Sequence, residues 1–227
     1  MSAPDQLERN GREDRASRYD AWFDSDWGRY AWAVESRLLL DRVGDVAARR
    51  VLDVGCGTGR AGAAVHAAGA YVVGVDPDPA MVAMARVRVD SAVVARGERL
   101  PFRDGCFDAV VAVAVLEFVA HPAGVLGEMA RVTRSPGTIV VGVLNPRSGW
   151  GLWHHRRRRA GMWPDARFVA AGDLARIGRA YGAVSVEETL RAPGRLPGLE
   201  VWGPTVERLG RRLGLPGAFR VVTIDRR

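Results

Sequence analysis

The chain contains no lysine: all 33 of its basic residues are arginine, set against 26 acids for a net charge of +7. This excludes a phosphate-cradling P-loop, which needs a lysine after its last glycine. Cysteine is scarce as well. Cys56 and Cys106 stand alone, without metal-ligand spacing, and read as buried thiols of a reducing cytoplasm. Long apolar runs are missing; the longest, Ala109–Leu116, suits a buried strand rather than a membrane span. The first residues, MSAPDQLERNGREDR, are polar and acid-containing, unlike a signal or transit peptide. There is no internal repeat, no low-complexity tract and no dense basic stripe. The modest positive charge, with abundant Ala, Gly and Val, reads as composition bias and points only weakly to nucleic acid.

What is present is a rhythm. The first 45 residues carry aromatic and aliphatic residues at helical intervals, around Tyr19–Asp24, Tyr30–Glu35 and Ser36–Arg42. Short apolar runs then alternate with helical segments. Strands are expected at Val51–Val54, Tyr71–Val75, Ala92–Ala95, Ala109–Val115 and Thr138–Leu144, with helices at Gly59–Ala68, Pro79–Val87 and Pro122–Val132. The strands are nearly all apolar, as strands covered on both faces are. Such alternation predicts an α/β fold: a doubly wound, Rossmann-like, seven-stranded and mostly parallel sheet, with helices on both faces. After an irregular stretch over 145–167, a helix at Ala171–Tyr181 and a strand at Val184–Leu190 follow. A Pro/Gly-rich connection then leads to Phe219–Ile224, an antiparallel strand at the sheet edge. The whole reads as one domain: a helical lid over 1–45, a cofactor-binding core over 46–144, an insertion over 145–167, and the rest of the sheet over 168–227.

The segment VLDVGCGTGR, residues 51–60, sits where ligands bind in such sheets, beyond the carboxyl end of the first strand. Gly55, Gly57 and Gly59 let the backbone lie against a ligand. A dinucleotide site needs G-x-G-x-x-G, and counted from Gly55, the first glycine after the strand, Arg60 stands at the third glycine position. There remains Asp-x-Gly-x-Gly-x-Gly, with the acid Asp53 before the glycines. An acid there suits a ligand with positive charge, such as S-adenosylmethionine with its ammonium and sulfonium.

Four motifs in order carry a wider resemblance: VLDVGCGTGR, VVGVDPDPAMVAMAR, LPFRDGCFDAVVAVAVLEFV and EMARVTRSPGTIVVGVLN. The chain resembles the class I S-adenosylmethionine-dependent methyltransferases, in the subgroup similar to ubiquinone- and menaquinone-biosynthesis enzymes. The resemblance implies that Asp53, Gly55, Cys56, Gly57 and Gly59 hold the methionine end of the cofactor, and that Asp76 accepts hydrogen bonds from both ribose hydroxyls. It further implies that Pro77 and Met81 pack on adenine or ribose, that Gly97 and Glu98 line the adenine edge, and that Ala112 and Val113 pass beneath. The product would be S-adenosylhomocysteine. One departure stands out: Arg96 replaces the Asp that in similar enzymes contacts the adenine amine. Glu98 reads equally as a solvated loop acid.

Methyl transfer from a sulfonium needs alignment and exclusion of water more than a strong base, so the lack of a triad or metal cluster is no objection. If a base is used, it lies past the fourth strand. Similar enzymes often have Leu-x-His-Val there; this chain has Leu116-Glu117-Phe118-Val119. Glu117 is a base candidate or a turn cap, and His121 is a candidate or a solvated loop residue. The resemblance assigns the acceptor pocket to Tyr19, Trp22, Phe23, Trp27 and Tyr30 and to the segment from Asn145 to Trp163, with a Tyr19-Asp20 lid. For Trp22 and Tyr30, plain core packing is the alternative. The tract Trp150–Trp163 with Arg156–Arg159 has three readings: a peripheral membrane contact, a subsite for an anionic acceptor, or a solvated lid helix.

The expected function is methylation of a small apolar or aromatic molecule in the cytoplasm. Two rivals stand beside it. A nucleic-acid methyltransferase is favoured by the charge, but Asn145-Pro146-Arg147 only partly echoes a base-flipping motif and follows the wrong strand. A non-catalytic cofactor-binding module would differ only in turnover.

Overall fold

The computed structural model describes residues 3–149, 151–152, 166–192 and 198–227. The Trp150–Trp163 tract, with Arg156–Arg159, lies outside them save for Gly151 and Leu152. Helices α1 (Ala3–Trp22) and α2 (Asp26–Val43) precede β1 (Arg50–Val54), α3 (Arg60–Ala67), β2 (Tyr71–Asp76), α4 (Pro79–Ala85) and β3 (Ser91–Val94). Then come β4 (Phe107–Val113), α5 (Pro122–Val132) and β5 (Thr133–Leu144). The chain ends with α6 (Ala171–Gly178), β6 (Ala183–Thr189), α7 (Leu199–Arg212) and β7 (Phe219–Arg226).

The seven strands form one sheet in the order β3-β2-β1-β4-β5-β7-β6. Strands β1 to β5 pair in parallel, while β7 runs antiparallel to both β5 and β6. The antiparallel pairing is at this edge as expected; β7 sits second from the edge and β6 outermost. From β1 the chain steps outward to β2 and β3, then returns to the other side of β1 as β4. Strand order therefore reverses between β1 and β4, where a crevice opens at their carboxyl ends.

Adjacent residues of one strand feed opposite cores, because successive side chains point to opposite faces. Val51, Val111 and Val140 pack under α2, α3 and α4, with Leu39, Val65 and Val82. Their neighbours Leu52, Val110 and Ile139 pack under α5 and α6, with Leu126, Met129 and Leu174. Both sets are fully buried, which is why the strands read as unbroken apolar runs. Each such side chain contributes about 1.5–3 kcal/mol through burial.

The two segments expected over Tyr30–Glu35 and Ser36–Arg42 are parts of a single helix, α2. It begins where the Ser25 side chain accepts the Gly28 N–H at 3.0 Å, a normal N-cap. Gly28 is required at this corner, since a Cβ there would lie 2.0 Å from the Trp22 carbonyl oxygen. The Pro/Gly-rich connection contains a helix that its composition conceals. Pro204 lies inside α7, at a cost of about 3 kcal/mol in an isolated helix. Packing on α2 overrides it: the Tyr30 ring lies so close to Gly203 that a Cβ there would come within 2.4 Å. Among the described residues no helix is long and apolar enough to cross a membrane.

Candidate active site

The glycine loop leaves β1 at the crevice. Gly55, Gly57 and Gly59 have φ of +67°, +52° and +87°, the left-handed region that glycine adopts without penalty. At Gly55 space matters too, since a Cβ would meet the Val115 side chain at 2.4 Å. The N–H groups of Gly55 and Cys56 both donate to the Val75 carbonyl, at 2.7 and 2.9 Å, tying the loop to the end of β2. There Asp76 accepts the Gly57 N–H at 3.0 Å on one oxygen and the Asp78 N–H at 2.9 Å on the other. Each oxygen keeps a further lone pair for a ligand donor, and the residue is half-buried.

Asp53 is buried and accepts the Gly62 N–H at 2.8 Å. Burial pushes its carboxyl up to about 7; the Gly62 N–H opposes the rise and the like charge of Asp76 adds to it. Burial raises the Asp76 carboxyl as well, against the N–H bonds of Asp78 and Gly57. Two desolvated acids side by side on a glycine cradle disfavour an anion and suit a cationic ligand. S-adenosylmethionine fits this donor set; a pyrophosphate does not.

Helix α1 closes over the loop through Asp20. Its oxygens accept from the Thr58 hydroxyl at 2.7 Å, from Arg60 Nε and Nη2 at 2.9 Å each, and from Arg88 Nη1 and Nη2 at 2.7 and 2.8 Å. Burial works to raise this carboxyl, but the two guanidinium groups and the hydroxyl hold it well below the usual carboxylate range. The clasp sets the neighbouring Tyr19 ring against the cradle, 3.4 Å from where a Gly57 Cβ would be. Burial, then Asp53 and Glu35, push the Tyr19 phenol above its ordinary value.

Beyond the cradle the crevice deepens into a pocket. One wall is aromatic, built by Trp22 at the end of α1, Phe23 in the turn after it, and Trp27 and Trp32 of α2. Phe23 is the hub, packing edge-on against Tyr19, Trp22 and Trp32 with ring centroids 5.3, 4.9 and 5.7 Å apart. Val113, Ala114 and Phe118 contribute from the end of β4, and Glu35 from α2. Glu117 is fully buried beside this wall, its Oε1 accepting the N–H of the pocket residue Leu144 at 2.7 Å. Burial pushes the Glu117 carboxyl up to about 7. The Glu35 carboxyl is pushed to about 8, first by burial and then by Glu117.

Of the residues singled out from sequence, Asp53, Gly55, Cys56, Val113, Tyr19, Trp22, Phe23 and Trp27 share this pocket. Asp76 and Gly57 adjoin it through their mutual hydrogen bond. Met81 is half-buried and Pro77 exposed on the cradle's outer flank. Ala112 faces away from the pocket: its side chain joins the core on the opposite sheet face, so it can meet a ligand only with its backbone. Gly97 packs against Val125 and Val54, while Arg96 and Glu98 are exposed. His121 is exposed at the start of α5 and does not line the pocket. Asn145 does not line it either. Its buried amide donates to the Gly217 carbonyl at 2.8 Å and accepts the Arg147 N–H at 3.0 Å, so the side chain clamps the end of β5. The stretch Leu100–Phe102 is gripped from α5, with Glu128 accepting the Leu100 N–H at 2.8 Å and Arg131 donating to the Leu100 and Phe102 carbonyls.

Sequence reasoning passed over Glu35, Trp32, Arg60 and Ala114 as pocket residues. For Glu35 a signal exists: it interrupts the i, i+4 stripe Trp27, Ala31, Leu39, Val43, all at least partly buried. For Ala114, whose φ of +51° is a strained value for a non-glycine residue, the sequence holds none.

Residues 52–141 match the family model described as "Methyltransferase domain". A protein of Methanocaldococcus jannaschii is 29% identical over 77% of this chain and 81% of its own length. A ubiquinone biosynthesis O-methyltransferase of Xanthomonas oryzae is 31% identical over 57% of this chain. The chain spans 59% of that enzyme's length. Among solved structures, an S-adenosylmethionine-dependent methyltransferase of Thermotoga maritima, described as a possible histamine N-methyltransferase, superposes with a TM-score of 0.77. It is 23% identical, covering 95% of this chain and 98% of that one. With its glycine cradle and its acids closing β1 and β2, the chain carries a methyltransferase domain over residues 52–141 on the fold of the S-adenosylmethionine-dependent methyltransferases.

Proposed function

We propose that the protein transfers the methyl group of S-adenosylmethionine to a small organic acceptor held in the aromatic pocket. One observation carries this reading: a single cavity runs from the cradle residues Asp53, Gly55 and Cys56 to the aromatic wall of Trp22, Trp27 and Trp32. Donor and acceptor would share one water-poor chamber, as in-line displacement requires. When bound, the cofactor supplies an electrophilic methyl group on a sulfonium centre and leaves as S-adenosylhomocysteine.

The work of the chain's own residues is binding and alignment. The loop from Gly55 to Gly59 and Asp53 would hold the methionine end, and Asp76 the ribose hydroxyls. Tyr19, fixed by the Asp20 clasp, would cover the cradle and exclude water. Glu117, fully buried with its carboxylate on the Leu144 N–H, does not line the pocket, nor does the exposed His121; the carboxyl that lines it beside the aromatic wall is that of Glu35. The net positive charge does not compete with a small acceptor, since Arg60, Arg88, Arg131 and Arg191 are engaged in internal ion pairs.

Calorimetric titration with S-adenosylmethionine tests the reading, on wild type and on Asp76→Ala. Binding by wild type and a loss of about ten-fold or more in the variant is the expected result. A folded wild type that binds no cofactor would overturn it. Binding without turnover over a broad acceptor screen would favour a non-catalytic module.

A further inference from the structure

The related proteins named above act on oxygen in one case and are linked to nitrogen in another, so the acceptor chemistry of this chain has to come from its own pocket. Its acids fall into two groups. Asp53 and Asp76 stand together at the ends of β1 and β2, on the cradle, and each accepts backbone N–H bonds. Glu35 and Glu117 form a second group, toward the ends of β4 and β5. Glu35 lines the pocket, and the one charged group that acts on it is Glu117. Tyr19 stands between the groups, under the influence of Asp53 and Asp76 from one and Glu35 from the other.

The second group is unusual in being only half used. Glu117 is fully buried, and of its two oxygens only Oε1 has a partner. Its Oε2 is shut off from solvent and has no hydrogen bond among the described residues. Glu117 does not itself line the pocket; it bears on a ligand through Glu35, whose ionised form its like charge opposes, so a donor at Glu35 meets both. A neutral alcohol brings one donor hydrogen and no charge. An ammonium brings several and neutralises the repulsion between the two carboxyls. The rest of the chamber suits a cation too, because the faces of Trp22, Trp27 and Trp32 attract positive charge.

We propose that the acceptor is an aromatic or otherwise apolar amine, whose ammonium group is received by Glu35 while its organic body lies against the tryptophan wall. This rests on the methyltransferase reading and adds the acceptor class to it. Glu35 is the base. Its carboxylate takes one proton from the ammonium, and the nitrogen lone pair so freed forms the new bond to the methyl carbon. The carbon–sulfur bond breaks with its electron pair remaining on sulfur, and the positive charge reappears on the methylated nitrogen. The raised Glu35 value, about 8, brings the carboxyl within roughly two to three pH units of a lysine-type ammonium near 10.4. An ordinary carboxylate would be about six units away.

Other groups surround Glu35 without replacing it. Tyr19 faces it from α1, Asp53 from β1 and Arg60 from α3 across the same pocket. Arg60 is bound to Asp20. Farther along the elements that pack on α2, Glu187 of β6 pairs with Arg42, Arg220 of β7 pairs with Glu188, and Glu207 of α7 acts on Tyr30.

The test is calorimetric titration of the full chain, saturated with S-adenosylhomocysteine, with 2-phenylethylamine and with its uncharged counterpart 2-phenylethanol. The amine should bind at least about ten-fold more tightly than the alcohol at pH near 8.5, a difference of about 1.4 kcal/mol. In Glu35→Gln, of nearly unchanged shape, the preference should fall below about three-fold. Wild type gives a second reading that needs no variant. Amine affinity should weaken as the pH is lowered from about 9 to about 6 and the pair takes up protons, while alcohol affinity stays level. Equal affinities, no amine binding at millimolar concentration, or an amine preference indifferent to pH would each overturn the proposal. Titration with S-adenosylhomocysteine alone separates the two levels. A folded chain that fails to bind it overturns the methyltransferase reading and this one together; a chain that binds it but does not prefer the amine overturns only this one.

Discussion

Asp76 and Gly55 show how single positions serve the cradle in different ways. Asp76 is held from both sides by the N–H groups of Gly57 and Asp78, so its carboxylate is aimed before any ligand arrives. Removing it as Asp76→Ala takes away a hydrogen-bond acceptor for the ligand and the loop's own tether. A loss of about 1.5–3 kcal/mol in cofactor affinity is expected, or about ten- to a hundred-fold. Gly55→Ala fails for a steric reason, since the new methyl group would meet Val115 at 2.4 Å on a backbone with φ of +67°. We expect a destabilisation of about 1–3 kcal/mol, visible in thermal melting before any ligand is added. Both positions were legible in the sequence because glycine spacing and a strand-end acid are local signals. Asn145 shows the limit of such reasoning. Its place after β5 suggested a pocket residue, yet its amide is spent on Gly217 and Arg147, partners that only the fold supplies.

Helix α1 lies against the cradle, and Asp20 is its most heavily bonded tie to the glycine loop. Asp20 gathers two guanidinium groups and one hydroxyl, with its side chain only 12% exposed. Loss of one partner of so sheltered an arrangement costs up to about 3–5 kcal/mol, because the others are left unpaired. In Asp20→Ala we expect α1 to detach from the loop, with rapid amide hydrogen exchange over residues 11–22 and weaker cofactor binding. Asp20→Asn, which keeps the shape and some acceptors, should fall between. At this scale the sequence was readable where periodicity was simple. The strands could be read because burial on both faces leaves them wholly apolar. Helix α7 could not, because Pro204 and its glycines resemble a connection, and the Tyr30 surface that makes it helical lies far away in the chain. Glu35 was overlooked for a related reason: its significance depends on Glu117, which the fold brings over from the other side of β4.

For the molecule as a whole, the buried acids dictate the response to pH. Asp53, Glu117 and Glu35 have folded values of about 7, 7 and 8, against ordinary values of 3.8, 4.5 and 4.5. Each holds its proton more tightly folded than unfolded. Their contribution is complete below the ordinary values and is lost as the pH climbs through the folded ones. Asp20 behaves oppositely: its folded value is depressed, so its contribution is present above 3.8 and lost under stronger acid. The ligand-free chain should be most stable near pH 4, between the acid loss of Asp20 and the alkaline loss of the buried acids, and melt about 2–8 °C lower at pH near 8.5. Glu35→Gln should flatten the alkaline side of that profile, and a melting curve indifferent to pH between 6 and 8.5 would refute this account of the acids.

The reversal of strand order between β1 and β4 has one practical consequence. The loops after β1, β2 and β4 that border the chamber all leave the same rim of the sheet, and the turns that enter the strands lie at the opposite rim. One of these, Arg103–Gly105, is exposed ahead of β4. It is a handle: a dye, a surface tether or a fused partner fastened there would report on the enzyme while leaving its chamber undisturbed.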